Sequence, residues 1–145
     1  MESAELKAII SSYLDGFQER VSPAQTGRAR EFPLAVSGYS YFADFAYRVD
    51  GTTWLFVEDD EGQTAPHNAS KYWRWIEHNN ITQPIHLLHI IGPSYGSYKQ
   101  LAKFLSEKIN KEYSNFHYHQ ICTANWDALE WQEVFKRTIT DILQG

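Results

Sequence analysis

Three acidic side chains, Asp44, Glu58 and Asp60, carry the first chemical signal in this chain. Residues 39–49 (YSYFADFAYRV) alternate and are rich in aromatic and β-branched types. Asp50-Gly51 is a strong two-residue hairpin signal, and residues 52–57 resume an extended, apolar run. That pattern places Asp44 and Glu58 on adjacent antiparallel strands. Side chains two residues apart on a strand share a face, so Glu58 and Asp60 point the same way. Three carboxylates converging on one edge of a sheet repel one another unless a cation neutralises them. Oxygen ligands of this kind suit Mg²⁺ or Mn²⁺.

Such a site needs a framework, and the chain is long enough to build one. Its 145 residues predict a single domain over 1–145. With 43% hydrophobic residues, five Trp, nine Tyr and eight Phe, it has the material for a packed core. The lone cysteine, Cys122, excludes an intrachain disulfide and fits a reducing compartment. The first residues, MESAELKAIISSYL, carry acids where a secretory leader needs bases, and no apolar run is long enough to span a membrane. A cytoplasmic protein is therefore expected. A formal charge of −5 argues against a surface that attracts nucleic acid everywhere, while leaving room for a local basic groove.

Residues 3–20 place Leu6, Ile9, Ile10, Tyr13, Leu14 and Phe17 at helical spacing. Residues 21–31 read as a loop around Pro23 and Gly27. A strand is expected at 32–36, then the hairpin of 39–49 and 52–57, then a turn over 61–66. Residues 67–80 read as a helix and 84–91 (PIHLLHII) as a buried strand. A helix follows over 95–111, with Tyr98, Leu101, Phe104, Leu105 and Ile109 inward. Residues 116–122 form a last strand and 126–143 a closing helix. The order α-β-β-β-α-β-α-β-α predicts an α/β protein, with a mixed β-sheet flanked by helices.

The order helix, three-strand meander, helix, strand, together with Asp44 and Glu58, resembles the core of the PD-(D/E)XK, or restriction-endonuclease-like, nuclease superfamily. The run His67-Asn68-Ala69-Ser70-Lys71-Tyr72-Trp73 looks like a helix start seen in several of its branches. The resemblance covers roughly residues 1–92, with the remainder an added helix-strand-helix. It implies an αβββαβ core and metal-dependent hydrolysis of phosphodiester bonds, in DNA ahead of RNA. Asp44 and Glu58 would hold Mg²⁺ or Mn²⁺, with Asp60 joining them. The chain departs from the pattern where Asp60 occupies the place of the motif lysine. Some members move that lysine to the following helix, where Lys71 stands. Glu5 or Glu19 would add a ligand from the first helix, Gln63 is an uncharged polar candidate, and Arg28, Arg30, Lys71 and Arg74 are the cations nearest in sequence for a phosphate backbone.

Plainer readings stand beside this one. Asp44 reads equally as a solvated edge residue, and residues 58–61 as an acidic loop. A member without its lysine serves as a catalytically inactive module binding nucleic acid or protein. A third reading takes the turn of residues 92–97 (GPSYGS) for a nucleotide phosphate, although it lacks both the Walker ending and the three-glycine fingerprint. His86 and His89 fall on opposite strand faces. His117 and His119 share one, without a third ligand at suitable spacing. Cys122 reads as a buried structural thiol. A chain of this size suits either a homodimer or a subunit of a larger complex.

Overall fold

The computed structural model describes residues 1–24, 31–61, 63–93 and 96–145. Helix α1 (Ser3–Asp15) leads to a short strand β1 (Val21–Pro23). Strands β2 (Phe32–Val36) and β3 (Tyr39–Ala43) follow, then β4 (Phe45–Val49) and β5 (Thr53–Asp60). Helix α2 (Ala65–Asn79), strand β6 (Ile85–Ile91), helix α3 (Gly96–Glu112), strand β7 (Phe116–Cys122) and helix α4 (Glu130–Gln144) complete the chain.

The main sheet has the order β1-β4-β5-β6-β7, and β2 and β3 pair in a separate two-stranded sheet. β4 runs antiparallel to β1 and β5, whereas β5, β6 and β7 are parallel. The sheet is thus mixed, as expected. Asp50 and Gly51 both adopt positive φ (53° and 71°), the two-residue turn whose twist suits an antiparallel hairpin. Parallel strands are buried on both faces, which is why Leu55-Phe56-Val57 and most of β6 read as unbroken apolar runs.

Two apolar layers sandwich this sheet. On one face Leu6, Ile10 and Leu14 of α1 and Trp131, Phe135 and Ile139 of α4 meet Val57, Leu88 and Ile90. On the other, Tyr72, Trp75 and Ile76 of α2 and Ile109 of α3 meet Phe56, Ile85 and Leu87. Phe56 anchors α2: its ring lies 5.0 Å from that of Tyr72 and 5.3 Å edge-on to that of Trp75. Edge-on aromatic pairs of this kind contribute about 0.5–1.5 kcal/mol beyond the area they bury. Tyr72 is next in sequence to Lys71, so the same packing fixes the register of α2 over the end of β5.

Several expectations need correction. Residues 21–23 are not loop but an edge strand. Helix α1 ends at Asp15, short of residue 20. The run 39–49 is broken at Asp44, and its first half leaves the main sheet to pair with β2. β5 extends beyond residue 57 to Asp60, and α2 begins at Ala65, inside the expected turn. Helix α4 begins at Glu130. Leu101 and Phe104 face outward, 46% and 52% exposed, because α3 turns the smaller Ala102 and Ser106 inward with Ile109. Cys122 is exposed at the end of the edge strand, not buried. Set apart from the β2–β3 hairpin, the main-sheet elements still run α-β-β-β-α-β-α-β-α, with residues 21–23 in the place expected for 32–36.

Gly92 ends β6 where a side chain has no room: a Cβ there would stand 2.5 Å from the Trp126 indole. Gly92→Ala is expected to destabilise the fold by about 1–3 kcal/mol, as overpacking does. A urea denaturation with a lower midpoint and an unchanged slope would bear this out.

Candidate functional site

The acids at the end of β5 alternate across the sheet, and each side supplies different partners. Glu58 faces α2 and is 1% exposed. Its Oε1 accepts from Lys71 Nζ at 2.7 Å. Its Oε2 accepts from the Tyr72 hydroxyl at 2.5 Å and from the Asp44 backbone N–H at 3.1 Å. Burial pushes the Glu58 carboxyl up to about 7, against the opposing pull of Lys71.

Lys71 therefore points at Glu58, but its ammonium is 5% exposed and has three acceptors. These are Glu58, the Phe42 carbonyl at 2.6 Å and Asn68 Oδ1 at 3.1 Å. An ammonium has three hydrogens to donate, and all three have partners here.

Asp60 also faces α2, as the alternation predicts. It accepts from Asn68 Nδ2 at 2.9 Å and pairs with Nε2 of His89, which is fully buried. His89 Nδ1 meets the Tyr118 hydroxyl at 2.8 Å, and Gln120 Nε2 donates to that hydroxyl at 3.0 Å. One polar chain thus runs from Glu58 through Lys71, Asn68, Asp60, His89 and Tyr118 to Gln120, across three strands.

The other face of β5 has a more open arrangement. Asp59 points toward α1, where Lys7 Nζ lies 3.0 Å from Asp59 Oδ1. Asp44 sits in the break between β3 and β4, opposite Glu58 by the register Phe45↔Val57. It turns its carboxylate to this face, and Asp44 Oδ2 accepts from the Asp59 backbone N–H at 3.1 Å. Burial and the Asp44 carboxylate beside it raise Asp59 to about 6. Burial alone would lower the Lys7 pKa, but Asp44, Asp59 and Glu58 together raise it.

Lys7 is 29% exposed and lines two clefts. One, of about 290 Å³, lies over Asp59, Glu61 and Trp126. The other, of about 320 Å³, lies between α1 and strands β1 and β4, lined by Ser11, Glu31, Phe45 and Tyr47.

Of the residues singled out in the sequence, Asp44, Glu58 and Lys71 come together around one hydrogen-bonded cluster. Asp60 joins them through Asn68. Glu5, Glu19, Gln63 and Arg74 are exposed. Arg28, Arg30, Ser94 and Tyr95 lie outside the described residues. Lys7 and Asp59 were missed, although the alternation that puts Glu58 and Asp60 on one face already sends Asp59 to the other. Among the described residues, no group of three or more His, Cys, Asp or Glu side chains is set to hold a metal ion. No helix among them is long and apolar enough to cross a membrane. Compared with known proteins, the chain matches no family model, no curated protein and no solved structure.

Removing one partner of a buried ion pair strands the other, at a cost of about 3–5 kcal/mol. Lys71→Met is expected to lose stability on that scale. Lys71→Met combined with Glu58→Gln is expected to recover most of it. A double-mutant cycle in urea reads the coupling directly, and additive losses would show that the pair does not act as one unit.

Proposed function

We propose that the chain is a metal-dependent phosphodiesterase of the nuclease kind, acting on DNA ahead of RNA, with its reacting site on the α1 face. The observation that carries this reading is the Asp44 carboxylate set against Asp59 beneath Lys7, at the edge of two open clefts. The donor set fits Mg²⁺ or Mn²⁺. Such an ion takes one or two carboxylates and keeps several waters, so two acids suffice. A divalent charge there would also offset the burial and the Asp44 repulsion that raise Asp59. When bound, it polarises a phosphate and lowers the pKa of a coordinated water.

The remaining tasks fall to this chain's own side chains. Asp44 and Asp59 hold the ion, and the buried Glu58–Lys71–Tyr72 cluster fixes the backbone of both: Glu58 accepts from the Asp44 N–H, and Asp59 follows Glu58 in β5. Lys7, 3.0 Å from Asp59 Oδ1, would be within a side chain's reach of the same point and would offset negative charge developing on the phosphate. This places the cation on α1 rather than at Lys71, whose hydrogens are already committed.

A second reading draws on that same commitment. If Lys7 does not substitute for the motif lysine, the domain binds nucleic acid or protein without cleaving. The acidic balance of −5 favours a protein partner. Nucleotide binding at the turn after β6 gains nothing from Gly92, whose missing side chain is explained by Trp126.

Purified protein incubated with plasmid, single-stranded DNA and RNA in Mg²⁺ or Mn²⁺ is expected to cleave. Asp44→Asn or Asp59→Asn should abolish the activity, and Lys7→Met should reduce it by about 10²-fold, typical of lost charge stabilisation. Cleavage that survives Asp59→Asn would discard this site. Silence from the wild type, with nucleic acid or a protein retained, would select the inactive module.

The pH dependence has a definite sign. Asp59 titrates near 6, and its protonated form is a poor ligand. At subsaturating metal, activity should therefore be full above pH 7 and fall about tenfold per unit below 6. Saturating metal should move this limb to lower pH, and a limb that stays fixed would exclude Asp59 as a ligand.

A further inference from the structure

We propose that His86 and His119, with His117 beside them, form a binding site for a divalent transition-metal ion, Cu²⁺ or Ni²⁺ ahead of Zn²⁺. This site is separate from the acidic one: it lies at the opposite end of the parallel strands and does not depend on the nuclease reading. Register places His86 of β6 directly beside His117 of β7. Alternation puts His119 on the face of His117, and Leu88 and Ile121, further along the same faces, pack into the α1/α4 core. Three of the chain's six histidines therefore meet on one face of β6 and the edge strand β7.

The geometry suits an ion. His86 Nδ1 and His119 Nε2 stand 3.0 Å apart. Two nitrogens each about 2.0–2.1 Å from one ion subtend about 95° at that separation. This is the cis angle of square-planar or octahedral coordination, and square-planar nitrogen sites favour Cu²⁺ or Ni²⁺. Imidazole binds a metal only when unprotonated. A ring nitrogen accepts a hydrogen bond only when unprotonated, so the 3.0 Å contact between the two rings requires at least one neutral imidazole.

The hydrogen bond between the two rings is the ground state that an ion replaces. The bridging proton passes to the other nitrogen of the ring that carried it, so no net proton is released. As the side chains lie, two nitrogens converge. The His117 ring is stacked on that of His86 with centroids 4.8 Å apart. His117 is exposed and joins as a third ligand by side-chain rotation. Water fills the remaining positions.

The test uses full-length, tag-free protein in a Cys122→Ser background, which removes the exposed thiol as a competitor. CuCl₂ titration by calorimetry in excess Mg²⁺, which occupies the carboxylates, with Cu²⁺ electron paramagnetic resonance, is expected to show one nitrogen-coordinated ion per chain with two or three nitrogen couplings. His86→Gln and His119→Gln should each weaken binding about tenfold or more and remove one nitrogen coupling. The control His67→Gln, on α2, and Asp59→Asn should leave binding unchanged. Circular dichroism establishes that each variant is folded. Unchanged affinity in both His86→Gln and His119→Gln, or an equal loss in either control, would overturn the site.

Discussion

The burial of Glu58 is the constraint to which the neighbouring elements answer. A carboxylate that is 1% exposed at the end of a central strand costs several kcal/mol unless it is paired and hydrogen-bonded. Its three donors come from two places: Lys71 and Tyr72 on successive positions of α2, and the backbone of Asp44 across the hairpin. Meeting all three at once fixes the rotation of α2 and the position of the break between β3 and β4. Lys71 also holds the Phe42 carbonyl, so the strand that leaves the main sheet is tied at its point of departure. The aromatic packing of Phe56 against Tyr72 and Trp75 supplies the apolar half of the same fixation.

From Lys71 the polar chain continues through Asn68 to Asp60, His89, Tyr118 and Gln120. In a low-dielectric interior such bonds strengthen one another, and an unmet member is expensive. The chain crosses β5, β6 and β7 on the face that packs against α2. It leaves a rigid backing on the α2 face, and the Asp44 and Asp59 carboxylates lie on the α1 face. That is the division of labour a preorganised site requires.

What the sequence made legible was local. The Asp50-Gly51 turn, the apolar run of β6 and the bounds of β7 depend on period and turn chemistry within a few residues, and they were read correctly. The pairing of Glu58 and Asp60 on one face followed from alternation alone. Val21–Pro23 escaped because three residues around a proline give no period, and the strand exists only because β4 offers it an edge. The apolar ring of Phe104 suggests an inward position, but helix phase is decided by which side permits close approach, and Ala102 and Ser106 permit it. Lys7 meets Asp59 across 52 positions of sequence, through the rotation of α1 on the sheet. His86 meets His117 through strand register. Neither quantity is written in a linear spacing.

The two faces of β5 differ in what it costs to disturb them, and this bears on which acids react. Drawing Glu58 toward a ligand would leave the Lys71 ammonium buried without its counter-charge, a loss of about 3–5 kcal/mol before any gain from the ligand. Displacing Lys7 from Asp59 returns to water a side chain that is already 29% exposed, and the acid it leaves, 9% exposed, is one that an incoming cation would itself neutralise. Asp59 moreover starts in conflict with Asp44, so an incoming cation relieves an existing repulsion on this face and breaks a satisfied pair on the other. The most deeply held carboxylate is thus the poorest candidate for chemistry. On the proposed reading, the motif acid expected at Glu58 serves as scaffold, and the reactive position would move one residue along the strand, to the side chain that faces α1.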